Sequence, residues 1–467
     1  MGISKKFFSG RVVFMAQKQA SGLRDMTTGS PAGHIFAFAL PLLAGSFLQQ
    51  LYNMVDSWVV GNYVGDAALA AVGIGFPVLF MMTSLFMGFS NGATVVIAQF
   101  YGAGEFRRAK DAVDTIYTAF TWAVLPITAL AVLLVHPLMR ILHVDPTALA
   151  EAQLYLTVLC GGILGQIGYN LNAGILAGFG NSRSTLLFLA VSSVMNIILD
   201  FLFVAAFHWG VFGAALATVL SQLASWLFGI FYINRRYPDL AVHPFSRFFD
   251  GALFRKIIGI GLPSGLQMSL VAFGGMVVMG NVNVYGKEYT AGYNIGSRMD
   301  QMAFLPIQSL CNAVTSFVGQ NVGAKKMDRV GRGIRVTVIA SIVWSGICLV
   351  LIPLAPTLIA YFSRTPAVIA AGSTYVGCVM PFYAAFAVMF CLNNAMRGAG
   401  DGMFAMVDTV LSMIILRLPL VFFLSARYGS AYMFYGIGIG WIAGAVLSVG
   451  YYFSGRWKEK GVTGKKA

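Results

Sequence analysis

Residues 41–61 read PLLAGSFLQQLYNMVDSWVVG, an apolar run that carries Asp56 deep inside it with no basic residue nearby. A charged side chain at the centre of a membrane helix costs roughly 2.5–3.5 kcal/mol or more, so those that persist usually line a cavity or an ion path. Gln49, Asn53 and Asp56 fall at i, i+4 and i+7, which puts all three on one helical face while Leu, Phe and Val cover the rest. That face is expected to look inward.

The rest of the chain agrees with a membrane setting. Of 467 residues, 58% are hydrophobic and 10% charged, and the mean hydropathy is +0.76, a balance that leaves a soluble domain too little polar surface. Apolar runs of about 20 residues are long enough to cross the bilayer as α-helices, whereas barrel strands would alternate over about ten. The expected fold is therefore an all-α membrane protein. The five cysteines lie inside such runs and read as packing residues. A net charge of +14 raises the possibility of nucleic acid, but 25 of the 31 Lys and Arg fall in the tails and alternate loops. The positive-inside rule then puts both termini in the cytoplasm and requires an even number of crossings.

Twelve spans are expected, at 35–60, 68–98, 113–137, 151–175, 184–207, 211–233, 254–280, 289–318, 334–361, 368–395, 403–426 and 432–454. Before them, residues 1–33 form a basic cytoplasmic tail without the apolar core of a signal peptide; a short interfacial helix using Phe8, Val12 and Met15, or a start at Met26, are the alternatives. Gln99-x-x-Gly102-Ala103 returns as Gln320-x-x-Gly323-Ala324, Leu40-Pro41 as Leu262-Pro263, and Gly178-x-Gly180 as Gly398-x-Gly400. The near-constant shift marks a duplication. Six crossings per half make the repeats parallel, giving an N-lobe (34–233), a cytoplasmic linker (234–253) and a C-lobe (254–454) around a central cavity, with a cytoplasmic tail at 455–467.

Several constellations bear on chemistry. No Walker A loop or strand–helix context for a nucleotide fingerprint is present. The histidines are scattered near span ends and read as structural. Span five offers Ser192, Asn196 and Asp200 as one polar stripe, span six adds Thr218, Gln222 and Ser225, and span four brings Tyr155, Gln166 and Asn170. Two nearby carboxylates, Asp56 and Asp200, cannot both ionise cheaply, so one holds a proton unless a small hard cation takes its place. In the second lobe, Arg298 and Asp300 stand two apart on different faces, and Asp408 and Arg417 share span eleven; cross-helix ion pairing is the plain expectation, contact with substrate the sharper one. Gly436, Gly440 and Gly444 form a small-residue ridge suited to close packing.

The LPLLAGSFLQQLYNMVDSWVVGNYVGDAALAAVG opening, the QFYGAGEFRRA and QNVGAKKMDRV loops and NIILD in span five resemble, in order, the multidrug and toxic compound extrusion (MATE) transporters over about residues 26–455. In the DinF-like branch, an aspartate fifteen residues after a bend-forming proline matches Asp56 and Pro41, while Asn196, Asp200, Thr218 and Tyr155 match that branch's cation site. The NorM-like branch uses acids in spans seven and ten. Here Leu262–Gly280 contains no acid and Phe386 stands where that branch would place its aspartate. The resemblance thus implies coupling in the first lobe, a possible substrate cavity near Gln49, Asn53, Asn170, Arg298 and Asp300, and a monomeric plasma-membrane antiporter. It would exchange H+ or Na+ for small amphipathic, often cationic, organic compounds, with no cofactor and no nucleic-acid partner. A lipid-linked glycan flippase is the rival reading, and an intramembrane enzyme lacks the clustered His, Ser or metal constellation it would need.

Overall fold

The computed structural model describes residues 22–141, 146–244 and 246–463, and every regular element in them is helical. Phe8, Val12, Met15 and His143 lie outside the described residues. The opening stretch belongs to α1 (Pro31–Tyr63), where Pro31 starts the helix and the Ser30 hydroxyl accepts from Gly33 N at 3.3 Å, a capping arrangement that satisfies one of the free N–H groups of the first turn. Pro41 sits inside α1 without ending it. There follow α2 (Asp66–Gly102), α3 (Phe106–Ile141), α4 (Pro146–Gly161), α5 (Ile163–Gly178), α6 (Arg183–Asp200) and α7 (Gly210–Arg236). The second half comprises α8 (Gly251–Asn283), α9 (Lys287–Gly323), α10 (Met327–Cys348), α11 (Leu351–Ala360), α12 (Pro366–Val379), α13 (Tyr383–Ala399), α14 (Gly402–Thr409), α15 (Arg417–Tyr428) and α16 (Met433–Ser454).

Among the described residues ten helices are long and apolar enough to cross a membrane, or eleven if the pair around Gly162, bent by 49°, is one span. The 37-residue α2 is as long as the longest of them. Large apolar side chains such as Trp122 and Leu125 are each 76% exposed, as expected for surfaces facing lipid rather than water. The chain is thus a multi-span all-α membrane protein.

Three expected spans prove interrupted. The fourth bends between α4 and α5 at Gly161-Gly162, the ninth breaks between α10 and α11, and the tenth passes through a tight 3₁₀ turn at Met380–Phe382. Pro381 explains the last, because it has no N–H to give the helix ladder. The fifth and eleventh spans each carry a π-helical segment, Phe201–Ala206 and Val410–Leu416. The ridge of Gly436, Gly440 and Gly444 lies against Val421, Ser412 and Met389, close packing within the second half.

The two halves meet along a seam at which α2 packs against α8. There α2 and α8 cross backbone to backbone: a Cβ on Gly88 would stand 2.3 Å from Gly265 N, and one on Gly92 2.3 Å from Ile257 O. Ser84 Oγ and Ser269 Oγ, 2.5 Å apart, close this contact. Beside it, Ile35 and Phe38 of α1 share an apolar cluster with Leu310, Ala313 and Phe317 of α9.

Candidate functional site

Asp56 lies toward the far end of α1, 8% exposed, and Asp200 is the last residue of α6, fully buried. Their carboxyls lie within electrostatic reach of each other. One turn before Asp200, Asn196 donates through Nδ2 to Thr218 Oγ1 on α7 at 3.4 Å. Tyr155 of α4 and Tyr52 of α1 stand within electrostatic reach of both acids. Beneath the group, Val59, Val60, Tyr155, Leu159, Val204 and Ala214 form a dry apolar floor. Four helices, α1, α4, α6 and α7, therefore converge on one polar point inside an apolar bundle.

Asp56 Oδ1, both Asp200 carboxyl oxygens and Asn196 Oδ1 are buried and receive no hydrogen bond from the described residues. Buried polar atoms are almost always paired, and an unpaired one costs free energy. Two neighbouring carboxylates add repulsion, which a proton shared between them or a small cation among the four oxygens would remove. All of these ligands are hard oxygens, which suits H+ or Na+ rather than a soft metal. Among the described residues no group of three or more His, Cys, Asp or Glu converges as a metal site.

The other residues singled out in the sequence scatter. Asn53 is half-buried on the Asp56 face, whereas Gln49 is exposed. Asn170 Nδ2 donates to Gln166 O within α5 at 2.8 Å, and its carbonyl accepts from Ser90 Oγ at 2.6 Å, so it ties α5 to α2. In the second half the acids take their hydrogen bonds from uncharged donors, and Arg417 reaches Asp300 across helices only electrostatically. Arg298 is exposed, while Asp300 accepts from Tyr375 Oη at 2.9 Å and from Tyr383 Oη at 2.5 Å. Asp408 takes Asn393 Nδ2 at 2.6 Å and Ser448 Oγ at 2.9 Å. Arg417 follows the π segment and reaches Asp300, Tyr293 and Tyr375 electrostatically, with its Nε unbonded to the described residues. Phenols and amides thus do the work assigned to guanidinium groups, because the short reach of an acid inside a tight bundle favours the nearest donor over the opposite charge.

Sequence reasoning missed Tyr52, Tyr375 and Tyr383. Tyr52 precedes Asp56 by four residues and so shares its face, a signal that was present. Tyr375 and Tyr383 flank a break in their span, and only the fold brings them to Asp300.

Acids buried where membrane helices converge mark ion or substrate paths in membrane proteins. The chain belongs to the MatE family, whose pattern matches residues 41–202 and again 263–423, once in each half. The probable multidrug resistance protein YpnP of Bacillus subtilis is 30% identical over 436 residues, covering 93% of this chain and 97% of that protein. In fold, the chain is similar to a Pyrococcus furiosus transporter of the MOP superfamily, described as having a binding pocket of reversed polarity that suggests a different function, with a TM-score of 0.86, 21% identity and coverage of 93% and 98%. It is also similar to a multidrug resistance MATE transporter captured facing outward, with a TM-score of 0.83, 22% identity and coverage of 93% and 97%.

Proposed function

We propose that the protein is a DinF-like MATE antiporter that exports amphipathic, often cationic, organic compounds in exchange for H+ or Na+. In this reading twelve spans form two six-helix lobes, with α2 and the bent pair α4–α5 each counted as one span, and both termini are cytoplasmic. The protein works as a monomer in the plasma membrane. The observation that carries it is the neighbouring pair Asp56 and Asp200 with four buried oxygens lacking donors. The relatives' multidrug names support the substrate class.

The pair acts through differential affinity. A proton or Na+ held between Asp56 and Asp200 draws α1 onto α6, and its loss lets the carboxylates repel and the helices part. Only a difference in ion affinity between the two states moves the equilibrium. Asn196 and Thr218 offer further oxygens beside the acids, Tyr52 and Tyr155 stand within their electrostatic reach, and the apolar floor keeps the exchange away from water. An inward-moving ion supplies about 2.3 kcal/mol per charge per 100 mV.

The test is efflux of a fluorescent cationic dye from proteoliposomes under separately imposed pH and Na+ gradients. Asp56→Asn and Asp200→Asn should each abolish gradient-driven efflux while the protein remains folded. Wild-type rates in either variant would remove these residues from the coupling role.

A further inference from the structure

The repeated Gln-x-x-Gly-Ala and Gly-x-Gly motifs are not used by the acid pair, yet they meet at the seam between the halves. Gln320 Nε2 donates to Gly178 O at 3.2 Å, and Gln99 Nε2 donates to Gly398 O at 3.0 Å. Each glutamine therefore reaches across to the other half's Gly-x-Gly loop. Their acceptor oxygens are also used: Gln320 Oε1 accepts from Met26 N at 2.9 Å, and Gln99 Oε1 from Val462 N at 2.6 Å. Both glutamines are fully buried.

The two donors come from chain ends that cross the seam in opposite directions. The segment before α1, residues 22–29, lies on the second half. Asn321 Nδ2 donates to Met26 O at 3.2 Å, Lys326 Nζ to Thr27 O at 2.9 Å, and Arg329 to Gly29 O at 2.7 Å. The Met26 side chain is fully buried against Phe317 and its neighbours. The segment after α16 lies on the first half, where Val462 joins the apolar core of that half. Repeat-related Gly180 and Gly400, at φ +78° and +105°, leave room for this crossing: a Cβ there would stand 2.4 Å from Arg24 O and 2.6 Å from Lys460 O respectively. A cavity of 880 Å³ lined by Arg24, Asp25, His34, Tyr232 and Tyr237 borders the first strap on one side, so the main apolar anchor that lifting this strap would release is Met26.

We propose that Gln99 and Gln320, each clamped by the opposite terminal strap, form a paired latch that holds the cytoplasmic end of the seam shut and releases whenever the transporter opens inward. The inference rests on the alternating-access reading above for the word inward, but the latch itself is defined by the seam. Each glutamine makes two hydrogen bonds across the latch, so removing them shifts the ratio of open to closed seam by roughly 5- to 30-fold.

The test places spin labels at Glu105→Cys and Asp328→Cys, exposed positions at this end of the two halves, in a background with the five native cysteines replaced. Gln99→Met and Gln320→Met keep side-chain length and remove the bonds. Both should populate a longer inter-label distance, and to the same extent, while eluting as folded protein. Unchanged distance distributions in both folded variants would overturn the latch. Should a glutamine variant not fold, Val462→Pro deletes the N–H donated to Gln99, while fixing the local backbone, and should lengthen the distance in the same direction; no change there overturns the proposal equally. Ion-driven efflux is read separately in the same proteoliposomes. A seam that opens in latch variants of a protein showing no ion-driven efflux would sustain the latch and sink the antiporter reading; a seam that stays shut in an active antiporter would do the reverse.

Discussion

Gly102 and Gly323 end α2 and α9 and touch each other's partner helix. A Cβ on Gly102 would lie 1.9 Å from Gln320 O, and one on Gly323 1.9 Å from Gln99 O. Ordinary contact needs about 3.5 Å, so Gly102→Ala forces the two backbones apart by about 1.5 Å at the tightest point of the seam. Backbone atoms on both sides have no rotamer to give, and overpacking of this kind costs about 1–3 kcal/mol, or about 5- to 150-fold in the ratio of closed to open seam. The same label pair at Glu105 and Asp328 reads that ratio directly. Gly259→Ala serves as the control, since nothing lies within 4 Å of its Cβ position and alanine gains up to about 1 kcal/mol of helix propensity. The double variant Gly102→Ala, Gly323→Ala should cost less than the sum of the singles, because one parting of the helices relieves both clashes. If Gly102→Ala keeps the wild-type distance distribution and thermal midpoint, the backbone contact described for this seam is not the one the protein makes.

Tyr383→Phe removes the shorter of the two phenol hydrogen bonds to Asp300 and should lower the thermal midpoint by an amount equivalent to about 1–3 kcal/mol, with Tyr375→Phe showing the same sign; scanning fluorimetry in detergent checks both. Asp408→Asn keeps acceptor capacity toward Asn393 and Ser448 and should be tolerated, whereas Asp408→Leu strands both donors and should reduce the yield of folded protein seen by size-exclusion chromatography. All five cysteines are free and buried, so a maleimide should label none in the folded protein and all five after denaturation, counted by intact mass.

The membrane class and the duplication were legible because they rest on the length of apolar runs and on repeated words, whereas the nearness of Asp56 and Asp200, on different helices, had no such spacing to rest on. The bend at Gly162 and the break at Pro381 also carried local signals. What escaped was set by neighbours in space. Asp300, on a different face from Arg298, was expected to find a charged partner on another helix, and the bundle delivered the phenols of Tyr375 and Tyr383. Gln99 and Gln320 were visible only as repeat markers, since their partners, Val462 and Met26, come from opposite ends of the chain.

The π segment at Val410–Leu416 has a consequence for how such a bundle answers a change of chain length. An α-helix turns about 100° per residue, and a π turn spends one residue more for the same rotation. The segment therefore absorbs an extra residue without rotating what lies beyond Leu416, and Arg417 keeps the phase relative to Asp408 that a helix one residue shorter would give it. Deleting a single codon within the segment would let it relax to regular α-helix and leave Arg417 facing Asp300 and Tyr375 at nearly the same angle, with Gly402–Thr409 in place. In the first half the matching segment begins after Asp200, so the same deletion there would spare the acid. The segment thus takes up a change of chain length and shields the orientation of the second half's buried charge from it.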